Sequence, residues 1–157
     1  MKILIISDSH GHIVNLKHVM GFAKKANIEA VIHCGDWDDP KAVETVLSFN
    51  IPLYAVLGNA DVDSEIEEIL ISESKKFSPH LLEIELDGIK MGVIHRVSVK
   101  DEKLFDYKVI FSGHYHSKEE KTVNWTKFIR PGAIINGLNF AVFETENREV
   151  EFFTDEK

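Results

Sequence analysis

Three short apolar runs, each closing on a small polar turn, constrain this chain more than any other feature. Lys2-Ile3-Leu4-Ile5-Ile6 leads into Ser7-Asp8-Ser9-His10, Ala30-Val31-Ile32-His33-Cys34 into Gly35-Asp36, and Leu53-Tyr54-Ala55-Val56-Leu57 into Gly58-Asn59. Nearly unbroken β-branched runs of this kind suit strands covered on both faces. Between them lie segments with helical spacing. Val14 to Ala26 carries apolar residues at Val14, Val19, Phe22, Ala23 and Ala26 and stops near Asn27. Pro40 to Phe49 opens on proline and is followed by Asn50. Strand, helix, strand, helix, strand predicts parallel βαβ units. Ligands of such sheets bind beyond the carboxyl ends of the strands, which is where Asp8, His10, Asp36 and Asn59 fall.

The second half of the chain changes pattern. Val62 to Lys76 is acidic and reads as a short helix or a lid with a solvated face. His80–Leu86 and Ile89–Ile94 flank Asp87-Gly88, a hairpin signal. The second of these strands ends at His95. Tyr107–Phe111 is a further buried strand, ending in Ser112-Gly113-His114-Tyr115-His116. Beyond Glu120, turns at Asn124-Trp125, Pro131-Gly132, Gly137 and Asn147 predict antiparallel hairpins. The expected architecture is α/β, with two facing mixed β-sheets flanked by helices. At 157 residues, a single domain over 1–157 is expected.

The formal net charge of -8 argues against affinity for duplex nucleic acid through a broad basic face. It leaves room for an acidic site that gathers cations. Cys34 is the single cysteine, so there is no internal disulfide framework. No apolar run nears the roughly 20 residues that span a bilayer. Met1 runs straight into the first strand, so no signal peptide is expected and a cytoplasmic location is.

Five strand ends thus carry Asp8 with His10, Asp36, Asn59, His95, and His114 with His116. All are oxygen or imidazole donors and none is a thiolate. Such a set suits borderline or hard divalent ions such as Mn²⁺, Fe²⁺ or Zn²⁺. Seven ligands exceed what one ion needs from protein and suit two ions that share a carboxylate. Taken singly, each has a plainer reading: Asp8 as a helix cap, His10 or His95 as a satisfied structural histidine, Gly58-Asn59 as a turn. His12, His18, His33 and His80 keep the plainer reading, with His12 close enough to the site to assist it.

In order, these motifs read DxH, GD, GN, H and GHxH, and the chain resembles the calcineurin-like metallophosphoesterase family. The form Asn59-Ala60-Asp61 and the late Pro131-Gly132 are similar to its small bacterial and archaeal phosphodiesterase branch. The resemblance spans about residues 1–145 and implies a four-layer αββα sandwich. It implies a metal-dependent phosphodiesterase acting on a small phosphodiester through a metal-bridging hydroxide. One ion would be held by Asp8, His10, Asp36 and His116, the other by Asp36, Asn59, His95 and His114, with Asp36 bridging. Manganese is the first expectation, and iron, nickel, cobalt and zinc are accepted by the same donors. The same fold serves as an interaction scaffold in a retromer subunit, so an inactive scaffold is the alternative.

Three positions depart from the family pattern. Ala60 stands where many relatives have a proton-donating histidine, which predicts weak acceleration of poor leaving groups. Arg96 follows His95 where glycine is usual, and either contacts a substrate phosphate or points to solvent. Arg130-Pro131-Gly132-Ala133 replaces Asn-Pro-Gly-Ser, so Arg130 either supplies a polar contact or covers the turn. Asp39 and Asp61 either orient a ligand imidazole or cap and face solvent. Trp125 and Phe152-Phe153 are apolar edges that could join copies of the chain in a homo-oligomer.

Overall fold

The computed structural model describes residues 1–98 and 100–154. In chain order the elements are β1 (Lys2–Ile6), α1 (Ile13–Lys25), β2 (Ala30–His33), α2 (Pro40–Leu47), β3 (Leu53–Val56), α3 (Ser64–Glu73) and β4 (Lys76–Ser78). There follow β5 (Leu82–Leu86), β6 (Ile89–Val93), a 3₁₀ helix (Glu102–Asp106), β7 (Val109–Phe111), β8 (Lys118–Val123), β9 (Thr126–Pro131), β10 (Phe140–Glu144) and β11 (Glu149–Phe153). They form two mixed sheets, ordered β11-β10-β1-β2-β3-β4 and β5-β6-β7-β9-β8.

The first run is the centre of the first sheet. β1 pairs in parallel with β2 and antiparallel with β10. Alternation along the strand sends Ile3 and Ile5 into the core between the sheets, and Leu4 and Ile6 into the core under the helices. All four side chains are fully buried, each such burial stabilising by about 1.5–3 kcal/mol. The helices end or begin as their sequences dictate. Asp39 caps α2 by accepting from the Lys41 N–H, with Pro40 in the first turn, and Asp63 caps α3 by accepting from Glu65. Asp39 is thus a cap.

Among the described residues the three α-helices lie against the first sheet, while the outer face of the second is covered by the 3₁₀ helix, through Leu104 packed on Ile110 and Phe128, and by loop residues such as Leu81 and Val97. The fourth layer is therefore a single short turn and loop. This turn also shortens the strand expected from Tyr107 to Val109–Phe111. The strand expected from His80 begins at Leu82. β4, at the end of the acidic segment, escapes the sequence reading because three residues with one apolar side chain show no period. The late hairpins form as expected (β8–β9 and β10–β11), yet β9 also pairs in parallel with β7, and β10 crosses to the first sheet. Phe153 stacks on Phe140 with ring centroids 5.0 Å apart, and Phe152 packs on the core between the sheets. Of the apolar edges only Trp125 stands out into solvent, 90% exposed. No helix is long and apolar enough to cross a membrane.

Candidate metal centre

The turns after β1, β2 and β3 meet those after β6 and β7 at one end of the sandwich. The backbone there is forced into an uncommon shape. Asp8, His10, Asp36, Asp38, His114 and His116 all have positive φ, from 42° to 76°. Left-handed backbone costs a residue with a β-carbon about 1 kcal/mol or more, and clusters of it mark sites where geometry outranks local comfort. The glycines of the GN and GH motifs serve the same geometry. A β-carbon on Gly58 would collide with the Asp36 carboxylate, and one on Gly113 would come within 2.6 Å of Asp8 Oδ2.

Each carboxylate has one oxygen spoken for and one aimed inward. Asp8 Oδ2 accepts from the Ser7 hydroxyl at 2.6 Å and the His114 N–H at 3.0 Å. Its Oδ1 is buried and has no hydrogen-bond partner. Asp36 Oδ1 accepts from the Ala60 N–H at 2.9 Å, leaving Oδ2 at 3.2 Å from His95 Nε2 and 3.6 Å from His10 Nε2. That oxygen touches both histidine groups.

The imidazoles are oriented in the same way. His10 Nδ1 meets Asp38 Oδ2 at 2.9 Å, and His95 Nδ1 meets the Cys34 carbonyl at 2.7 Å. Both acceptors lack hydrogens, so Nδ1 carries the proton and donates, and Nε2 is left as a bare lone pair. His10 Nε2 then faces His116 Nε2 at 3.3 Å, with Asp8 Oδ1 3.3 Å from the latter. His95 Nε2 faces His114 Nδ1 at 3.3 Å and Asn59 Oδ1 at 3.0 Å. The side-chain amide of Asn136 lies 3.1 Å from His116 Nδ1. Ligation through Nε2 needs its oxygen turned toward Nδ1, an orientation open to any amide by a flip.

Acceptors facing acceptors at these distances repel unless positive charge lies among them. The protonation balance carries the same message. Burial pushes the Asp8 carboxyl up, more than Ser7 and His114 draw it down. Burial also works to raise Asp36, but His95 and the Ala60 N–H outweigh it and hold it well below the usual carboxylate range. Burial disfavours charge on His95, yet Asp36 and the Cys34 carbonyl overcome this and push its pKa above the ordinary value. Divalent cations fit this donor set: an orphaned buried carboxylate oxygen, lone pairs aimed inward, and oxygen and nitrogen donors without thiolate. Asp8 with His10 and His116, and Asp8 with Asp36 and His95, each bring their donor atoms close enough to hold one ion.

The seven residues expected from sequence are thus brought together. Their supports are mostly ones the sequence did not reveal. Asp61 accepts from four backbone N–H groups, those of Asp36, Trp37, Asp38 and Gly58, at 2.7–2.9 Å. It ties the Asp36 turn to the Gly58-Asn59 turn and orients no imidazole. That work falls to Asp38, two residues beyond Asp36, a spacing that could have marked it. His12 caps α1 by accepting from the Asn15 N–H. His33 is fully buried, accepts from Gly35 N–H at Nδ1, meets Ser9 Oγ through Nε2, and stacks on Trp37 at 3.5 Å. Burial drives its pKa well down, so it stays neutral, and burial likewise pushes the Cys34 thiol well up. The Pro131-Gly132 segment leads to Ile134 and Ile135, whose N–H groups donate to the Ser7 and Asp8 carbonyls.

Arg130 is held by Glu119 at 2.7 Å and Ser117, with its guanidinium 5.1 Å from the Tyr115 ring centre. The Tyr115 hydroxyl in turn accepts from Arg96 Nε at 3.2 Å. Arg130 therefore backs Tyr115, and Tyr115 steers Arg96 along the mouth of the site. Arg96 borders a cleft of about 380 Å³ that starts at Asn59 and His95.

A mixed two-sheet sandwich whose strand-end turns converge on carboxylates and imidazoles defines an α/β architecture built around a candidate divalent-metal site. Residues 1–148 match the calcineurin-like phosphoesterase superfamily domain, and the chain belongs to that family. It is 28% identical over 160 residues to phosphodiesterase MJ0936 of Methanocaldococcus jannaschii, covering 95% of this chain and 96% of that protein. It is 31% identical over 136 residues to the probable metallophosphoesterase YsnB of Bacillus subtilis, covering 85% and 75%. Among solved structures, a novel archaeal phosphodiesterase superposes with a TM-score of 0.86 at 25% identity, covering 98% of this chain and 99% of that one. Vps29 of Entamoeba histolytica, solved with Zn²⁺, shares the fold with a TM-score of 0.67 at 18% identity, covering 97% and 90%.

Proposed function

We propose that this chain is a metal-dependent phosphodiesterase that works with two divalent ions on a small phosphodiester. The observation that carries the reading is Asp36 Oδ2, set between His95 Nε2 and His10 Nε2 while its other oxygen is occupied by a backbone N–H. Asp8, His10, Asp36 and His116 would hold one ion, and Asp36, Asn59, His95 and His114 the other. When bound, the ions supply Lewis acidity that activates water for in-line attack on phosphorus and offsets phosphoryl charge. Asp38, the Cys34 carbonyl and Asn136 keep the imidazole lone pairs aimed inward. Ser7 and the His114 N–H fix the Asp8 carboxylate so that Oδ1 faces the ions. Arg96, steered by Tyr115, contacts a non-bridging phosphate oxygen, which suits its charge and fork. Ala60 offers no proton to the leaving group. Manganese is the first expectation for both ions, with iron, nickel, cobalt and zinc accepted by the same donors, and both sheets supply ligands, so the chain acts as one unit.

Purified protein loaded with Mn²⁺ is expected to hydrolyse bis(4-nitrophenyl) phosphate and to contain two metal equivalents by elemental analysis. Metal binding with no turnover of that ester would favour the scaffold alternative, and no metal binding would overturn the site itself.

A further inference from the structure

The cleft beside the site has a composition of its own. Leu57, Pro79 and Ile94 are its apolar lining, the candidate ligands Asn59 and His95 border it, and His80 and Arg96 complete it. Its volume, about 380 Å³, is that of a small-molecule site, and so is its make-up of apolar lining with a few polar groups. Neither His80 nor Arg96 is saturated by protein contacts. The His80 imidazole has no hydrogen-bond or ion-pair partner among the described residues. Arg96 uses only Nε, on Tyr115, so both terminal nitrogens of its guanidinium are free of protein contacts. The chain reaches His80 through Ser78 and Pro79, directly after β4, so the short edge strand brings the histidine to the cleft that Arg96 also lines.

We infer that this cleft is a specificity subsite for one ester arm of the substrate, and that the arm is a flat aromatic group, a nucleobase or an aryl ring. This rests on the phosphodiesterase reading above. An arm leaving phosphorus past Asn59 and His95 enters the cleft. The apolar wall takes the edge and one face of a ring. The terminal nitrogens of Arg96 meet the phosphate from their edge, and the face of the same planar guanidinium is left for a ring, to which cations are drawn. His80 supplies a hydrogen bond, as donor or acceptor. An alkyl arm would meet the same wall and leave His80 and the face of the guanidinium unmatched.

Phenylphosphonate and methylphosphonate share one head group and differ only in the arm. Calorimetric titration of each into Mn²⁺-loaded protein is expected to give roughly tenfold tighter binding of the phenyl compound, from burial of the ring. The Kd ratio is expected to fall at least about threefold in His80→Ala and in Arg96→Met, both exposed positions whose change spares the core. A wild-type ratio near one, or a ratio that neither substitution moves, overturns the assignment. A ratio of inhibition constants for the two phosphonates against bis(4-nitrophenyl) phosphate hydrolysis that matches the Kd ratio places the cleft on the reaction path, and equal inhibition constants overturn that placement. If the loaded protein turns over no diester, the phosphodiesterase reading fails, and the Kd ratio still judges the cleft.

Discussion

The two halves of the candidate metal centre are built by different means. In the Asp8 half, Asp38 and Asn136 orient the two imidazoles, and Asp8 brings a full carboxylate of its own. In the His95 half, a backbone carbonyl of a buried strand end orients the central imidazole, and the added oxygen is the neutral amide of Asn59. The first half is the more anionic and depends on side chains that can be changed one at a time. The second is set by the path of the main chain and opens onto the cleft. The difference teaches that negative charge and an open cleft have been assigned to opposite ends of one cluster.

The largest effect is expected at the residue the halves share. Asp36→Asn removes the common carboxylate charge, so metal content should fall to one equivalent or less. Diesterase activity should drop by roughly a thousandfold or more, several kcal/mol of transition-state stabilisation. Two full equivalents in that variant would show that the halves do not share the residue.

Next comes the orienting carboxylate. Asp38→Ala should weaken metal binding by about 10–100-fold in the Asp8 half alone, read as one weakened and one unchanged step in a titration. Equal weakening of both steps would erase the contrast between the halves.

The pH response of stability probes the packing beneath the Asp8 half. His33 sits under Ser9 with its pKa driven well below 6.5 by burial. Above that pH, folded and unfolded chains both hold it neutral and the full stability is present. As the pH falls through 6.5 the unfolded chain gains a proton that the folded chain refuses, so stability falls. The slope approaches about 1.4 kcal/mol per pH unit at most. Thermal unfolding in chelator from pH 7.5 to 5, compared with His33→Gln, should show the steeper acid loss in the wild type.

The last effect concerns the leaving group on the His95 side. With Ala60 unable to donate a proton, kcat should be lower for alkyl than for nitrophenyl esters, and Ala60→His should narrow the gap by up to about 10²-fold. Equal kcat for the two ester types in the wild type would locate a proton donor elsewhere.

The sequence by itself determined much of this arrangement. The run from Lys2 to Ile6 had to be a strand buried on both faces, because no other element hides four consecutive large apolar side chains in so short a length. Each motif residue sat beyond such a strand, and the glycines before Asp36, Asn59 and His114 marked backbones that approach closely. What stayed hidden depended on distance in space with no period in the chain. Asp61 resembles a surface carboxylate until the Asp36 and Gly58 turns close around it. Asn136 and His116 come from separate loops, and Arg130 meets Arg96 only through Tyr115. His80 resembles any loop histidine until a three-residue edge strand swings it to the cleft. Strand ends are local and carry a local signature. Which nitrogen of an imidazole is free, which oxygen is left without a partner and what a cleft will accept are decided only when segments as much as 106 residues apart are packed together.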